Sequence, residues 1–179
     1  MRHLTLITTG GTIEKTYDEM TGELTNRVSI VGRMLEHLRL ENTQVRVVEL
    51  MRKDSLHMTD EDRAAIVAAV REAAGAMRGS TGALERGRGG CGVVILHGTD
   101  TLTVTGERVL REASPLGVPV ILTGAMRPFE MTRSDALQNL TEAIFAAGML
   151  PAGVYCAAHG RVLKFPGVRK DRDRGTFVK

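Results

Sequence analysis

The stretch Val93-Val94-Ile95-Leu96-His97-Gly98-Thr99-Asp100-Thr101-Leu102 decides how this chain folds. Four consecutive apolar residues, three of them β-branched, read as a strand buried on both faces. A glycine among polar residues then breaks the run, and an apolar-periodic segment to about Arg111 reads as a helix. A buried strand feeding a helix through a short polar turn is the first half of a β-α-β unit.

The same alternation extends in both directions. Leu4–Thr8 is a short strand stopped by Gly10-Gly11. Ile13–Arg27 is polar and mixed and reads as a loop of about 15 residues, a length that marks a lid in a compact domain. Ser29 is placed to cap a helix to about Leu40, with Val31, Met34, Leu35 and Leu38 on one face, and Val45–Leu50 is the second strand. Thr59, followed by three acids, caps a helix to about Met77 whose apolar stripe is Ile66, Val67 and Val70. Gly79–Gly92, with six glycines, reads as a flexible surface loop. Val118–Leu122 is a strand, Ser134 caps a helix to about Ala147, and Val154–Ala157 is the last strand. The series predicts an α/β fold: a three-layer, doubly wound, mainly parallel sheet with helices on both faces, of the flavodoxin or Rossmann kind. Residues 1–179 are expected to form one domain.

Composition excludes several functional classes. Of 179 residues, 42% are hydrophobic and 25% charged, which rules out a wholly disordered chain. Aromatics make up 3%, without tryptophan, too few for the stacking platforms of a single-stranded nucleic-acid binder. Cys91 and Cys156 cannot build a disulfide scaffold and lack CxxC spacing, so free thiols in a reducing cytoplasm are expected. No apolar run approaches a secretory leader or a membrane span, which argues for a cytoplasmic protein without membrane partners. The net charge of +3 is concentrated in the segment 164–179, where six basic residues meet Asp171 and Asp173. Interleaved acids and the lack of a recognition-helix pattern favour a solvated terminus over nucleic-acid binding.

In such sheets the ligand lies outside the carboxyl edge of the strands, at the switch point. Three loops land there: Thr9–Thr12, His97–Thr101 and Gly124–Pro128. The first fails as a nucleotide site, having neither GxGxxG nor GxxxxGK followed by Ser or Thr. Its glycines instead let the backbone approach a small ligand while Thr12 presents a hydroxyl. Thr99 and Asp100 add a hydroxyl and a carboxylate at a strand-to-helix turn, where capping the helix is an equally open role. His97 reads as a hydrogen-bonded core residue. The five histidines form no HxxxH or HExxH, and GxSxG is absent, which argues against a zinc enzyme and a Ser-His-Asp hydrolase. A threonine hydroxyl needs a base to attack an amide, and a lysine held by an aspartate supplies one. Pattern alone does not say which lysine.

Thr9-Gly-Gly-Thr12-Ile, His97-Gly-Thr-Asp-Thr101 and Gly124-Ala-Met-Arg-Pro128 together resemble the bacterial-type L-asparaginase/glutaminase family, in its N-terminal catalytic domain. Asp54-Ser55-Leu-His-Met-Thr59, Ser134-Asp135 with Asn139-Leu140, and Val168-Arg-Lys170 before Gly175-Thr-Phe agree as well. The resemblance spans the chain and stops before the family's second, smaller domain. It implies that Thr12 is the nucleophile on the lid-side loop, with Tyr17 as the lid tyrosine. Thr99, Lys170 and Asp100 correspond to the family's second threonine, its lysine and its aspartate. Ser55 corresponds to the serine that binds the substrate α-carboxylate, and Asp100 also to the group that grips the α-amino group. Ala125 corresponds to a carbonyl near the side-chain amide. Gly11 and Gly98 line the substrate site.

The resemblance implies hydrolysis of L-asparagine, or of L-glutamine, to the acid and ammonia, with no cofactor and no metal. Two other readings stay open: a non-catalytic amino-acid-binding module, and an amidase acting on a larger amide like the related amidotransferase subunits that serve tRNA charging. A site with half its usual enclosure missing is wet and electrostatically weak. A homo-oligomer, specifically a homodimer, is therefore expected to cover it.

Overall fold

The computed structural model describes residues 1–80 and 90–179. The glycine-rich stretch expected as a surface loop lies, for most of its length, outside the described residues. In chain order the elements are β1 (Arg2–Gly10), β2 (Thr16–Asp18), β3 (Glu23–Thr25), α1 (Val31–Glu36), β4 (Thr43–Lys53), α2 (Asp60–Ser80) and β5 (Cys91–Leu96). They continue as α3 (Leu102–Ala113), β6 (Pro119–Thr123), α4 (Ala136–Ala147), β7 (Gly153–Ala158), β8 (Arg161–Lys164), β9 (Arg169–Asp171) and β10 (Thr176–Val178).

The main sheet has the order β4-β1-β5-β6-β7-β8. Its first five strands run parallel and β8 pairs antiparallel with β7. Register aligns Val47, Leu6, Val94, Ile121 and Tyr155 in one row across the sheet. Because strand side chains alternate, the next row, from Ile7 through Ile95 and Leu122 to Cys156, faces the opposite way. The first row packs on α1 and α4 through Val31, Met34, Leu140, Ala143 and Ile144. The second packs on α2 and α3 through Ile66, Val70, Leu102 and Val109. Both faces are covered, so the central strands are apolar throughout, as their sequence predicts. The chain places β4 on one side of β1 and β5 on the other, which makes the carboxyl ends of β1 and β5 the switch point.

Three expectations change. The predicted loop over 13–27 folds instead as a 3-10 turn at Thr12–Glu14 and a hairpin of β2 and β3, closed across by an Asp18–Arg27 ion pair. The helix expected to Leu40 ends at Glu36, where the amides of His37 and Leu38 turn back to carbonyls only three residues behind. The basic tail is not a solvated terminus. It forms the β9–β10 hairpin, anchored by buried Phe165, Val168 and Phe177. The ring of Phe165 fills the space in which any side chain at Gly106 of α3 would collide. Among the described residues no helix is long and apolar enough to cross a membrane.

Candidate functional site

The first two loops meet backbone to backbone at the switch point. Gly11 has φ +78°, and a Cβ there would stand 2.4 Å from the Gly98 amide nitrogen. Only glycine both adopts that conformation without strain and permits that approach. The contact sets Thr12 and Thr99 one residue beyond it on adjacent loops. A side chain at Gly98 would in turn strike Ser55, placing that serine against the same backbone. Ser55 Oγ is buried and has no hydrogen-bond partner, an uncommon state for an interior hydroxyl that suits a hydroxyl awaiting a ligand. Beside it, Asp54 accepts from the Leu56 amide and from Lys15 Nζ at 2.8 Å. The Lys15 bond holds the Asp54 carboxyl below its ordinary pKa.

Lys170 reaches this crevice from the C-terminal hairpin. Its Nζ donates to Thr99 Oγ1 at 2.8 Å and to Asp100 Oδ1 at 3.0 Å. Arg172 Nη1 donates to the same Asp100 oxygen at 2.9 Å. Partial burial alone would raise the Asp100 carboxyl, but the bonds and charges of Lys170 and Arg172 hold it below its ordinary pKa. The capping role open to Thr99 and Asp100 is not the one they take. The residue that precedes α3 is Thr101, whose hydroxyl donates to the Ser55 carbonyl at 2.9 Å.

His97 is a satisfied core residue, as read from the sequence. A carbonyl can only accept, so Nδ1 carries the proton it donates to Gly98 O, and Nε2 accepts from Thr105 Oγ1 at 2.9 Å. Burial pulls its pKa down to about 4, which keeps the ring neutral.

The third loop is held by residues that pattern reading did not assign a role. Asp135 accepts from the amides of Met126 and Arg127, from Asn139 Nδ2 and from His159 Nε2. Asn139 Nδ2 also donates to the Gly124 carbonyl, so the backbone is pinned on both sides of buried Ala125. His159 Nδ1 pairs with Thr176 Oγ1 and links this loop to the hairpin that carries Lys170. The i, i+4 spacing of Asp135 and Asn139 is the sequence signal that could have found the pair; nothing in the spacing points to His159. Glu14 is likewise missed: its buried carboxylate accepts from Thr8 Oγ1, the Gly10 amide and Ser29 Oγ, and burial raises its pKa. It ties the Thr12 turn to the end of β1 and to Ser29, in the segment between the hairpin and α1.

Ser55, Gly11, Gly98, Thr99, Asp100 and Lys170 are therefore gathered around one crevice, and partly buried Thr12 follows Gly11 on the first loop. Tyr17 is not among them. It lies on β2, 60% exposed, with its hydroxyl over Gly22 in the hairpin turn. Pairing of Tyr17 with Leu24 fixes it to the hairpin rather than to the crevice.

Fold and site define a doubly wound α/β domain whose switch-point crevice holds a hydroxyl, an amine and a carboxylate in contact. Residues 3–175 match the family "Asparaginase, N-terminal", and the chain belongs to that family. It is 28% identical over 172 residues to L-asparaginase of Thermococcus kodakarensis, covering 96% of this chain and 48% of that protein. The thermostable enzyme's structure superposes with a TM-score of 0.79 over 98% of this chain and 50% of the other. L-asparaginase I of Vibrio cholerae superposes equally well, TM-score 0.79 at 26% identity, over 99% of this chain and 51% of that one. A glutamyl-tRNA(Gln) amidotransferase component from Methanococcus vannielii is 28% identical over 165 residues, 90% of this chain and 35% of that protein. The chain thus spans about half the length of the L-asparaginases it matches, and less of the amidotransferase component.

Proposed function

We propose that this protein is an amidohydrolase that converts L-asparagine, or L-glutamine, to the corresponding acid and ammonia. The observation that carries the reading is the bonded set of Lys170 with Thr99 and Asp100, facing the Thr12 loop across the Gly11–Gly98 contact. Thr12 attacks the amide carbonyl carbon, the C–N bond breaks as ammonia takes a proton, and water then cleaves the acyl-enzyme. Lys170 carries protons for Thr99, and Asp100 holds the lysine in register. Ser55, with its unpartnered hydroxyl, receives the substrate carboxylate, and Asp100 the α-amino group. The Ala125 carbonyl orients the amide. The hairpin of β2 and β3 acts as a lid that brings Tyr17 inward when substrate binds. Neither a cofactor nor a metal enters this scheme. A cytoplasmic homodimer completes the proposal.

A reading as part of a complex acting on a larger amide is favoured only by the likeness to the amidotransferase component. Ammonia release assayed with asparagine, glutamine and no substrate tests the main proposal. Wild-type protein is expected to release ammonia from asparagine, Thr12→Ala to lose nearly all of it, and Thr12→Ser to keep part. Near wild-type hydrolysis by Thr12→Ala refutes the nucleophile. A thermal shift with asparagine but no ammonia from either amide makes the protein a binding module.

A further inference from the structure

Asp100 is matched against more positive charge than proton transfer requires. Lys170 and Arg172 both donate to the same oxygen, Oδ1, at 3.0 and 2.9 Å. The Lys170 side chain is 14% exposed and held between Thr99 and Asp100; Arg172 is 68% exposed and reaches in from the turn of the β9–β10 hairpin. The surplus is local to this oxygen. Asp171 and Asp173 flank Arg172 in the turn and carry negative charge, but Asp171 bonds the Arg174 amide rather than either cation, and Lys15 pairs with Asp54 beside Ser55. One carboxylate thus faces two cations at the mouth of the crevice.

An amino-acid amide brings an ammonium as well as a carboxylate into this field. Its ammonium meets an acid already bonded to two cations, and either repels them or displaces Arg172. An amide of a carboxylic acid without that ammonium meets only the surplus positive charge, which attracts it. On the amidohydrolase reading of this site, we infer that Arg172 is a specificity-determining residue that turns the crevice toward dicarboxylic acid monoamides lacking a free α-ammonium. The bond changes are those of amide hydrolysis: C–N breaks, water supplies the new C–O bond, and its proton leaves on ammonia. Asparagine is turned over at such a site with a high KM.

The test compares L-asparagine with 3-carbamoylpropanoate, the same amide without the α-amino group. The wild-type protein is expected to show the higher kcat/KM for 3-carbamoylpropanoate. Arg172→Ala should shift the ratio of kcat/KM values toward asparagine by roughly tenfold, the scale of one unit charge acting across a few ångströms of partly wet protein. Most of that shift should fall in KM. Arg174→Ala removes an equal charge from the same hairpin without touching Asp100 and should leave the ratio alone. A ratio that moves less than about twofold in Arg172→Ala, or moves as far in Arg174→Ala, overturns the inference. If wild-type protein hydrolyses neither compound, the hydrolytic reading fails separately. Thermal shifts with the two compounds then still read the Arg172 preference, and equal shifts in wild type and Arg172→Ala overturn it.

Discussion

Replacing Lys170 separates a catalytic lysine from a structural one. In the native site its Nζ bonds both Thr99 and Asp100. Lys170→Met removes both bonds and the proton carrier. Loss of a positioned acid–base group costs about 10²- to 10⁴-fold in rate, or about 2.7 to 5.4 kcal/mol of barrier. The effect on folding is smaller. Asp100 keeps its bond from Arg172, and both partners of the Lys170 pair retain some solvent contact, 14% and 27% exposed. Because Asp100 is not left without a cation, Lys170→Met should cost about 1 to 2 kcal/mol of stability. Lys170→Arg keeps the charge and a donor for Asp100, so it should melt close to wild type. A guanidinium does not give up its proton in this pH range, so Lys170→Arg should be as slow as Lys170→Met. Initial rates of ammonia release from asparagine, with thermal melts of all three proteins, measure both arms. Lys170→Arg within about threefold of the wild-type rate would refute the proton-carrying role and leave the lysine as a tether for the C-terminal hairpin.

Two further outcomes follow from the geometry. The hairpin of β2 and β3 carries Met20 at its tip, almost wholly in solvent, and is held by the Glu14 bonds at its base; limited proteolysis should cut between Thr16 and Thr25 in free protein and slow when L-aspartate is present, whereas equal cutting in both states counts against a lid. Burial alone would raise the Asp135 carboxyl, but bonds from the Met126 amide, His159 and the Arg127 amide hold it below its ordinary value. A carboxyl depressed in the folded state stabilises fully above the ordinary range near pH 4 and loses that contribution as pH falls through its folded value. Asp135→Asn should therefore lose about 1 to 3 kcal/mol at pH 7 and progressively less below pH 4; an equal loss at pH 7 and pH 3 would show that Asp135 acts only by packing.

By itself the sequence determined the layers and the edge at which function sits. Val93–Leu96, Val118–Leu122 and Val154–Ala157 are apolar on both faces, and only strands covered by helices on both sides bury such runs. Gly10-Gly11 and the polar turn from His97 to Thr101 mark the carboxyl ends of two of these strands, so both loops were legible as one site. Only the tertiary structure decided what lies across from them. Lys170 and Arg172 stand about 70 residues from Asp100 in the chain, in a segment whose composition alone suits a solvated tail. Their placement depends on Phe165 and Phe177, which pin the hairpin to the core. Local spacing encodes contacts within a turn or along a helix, as it did for Thr59 and Asp62. It carries no record of which distant side chain completes a carboxylate's bonds. That pairing is fixed when the last hairpin folds back over α3 and sets an amine and a guanidinium on Asp100.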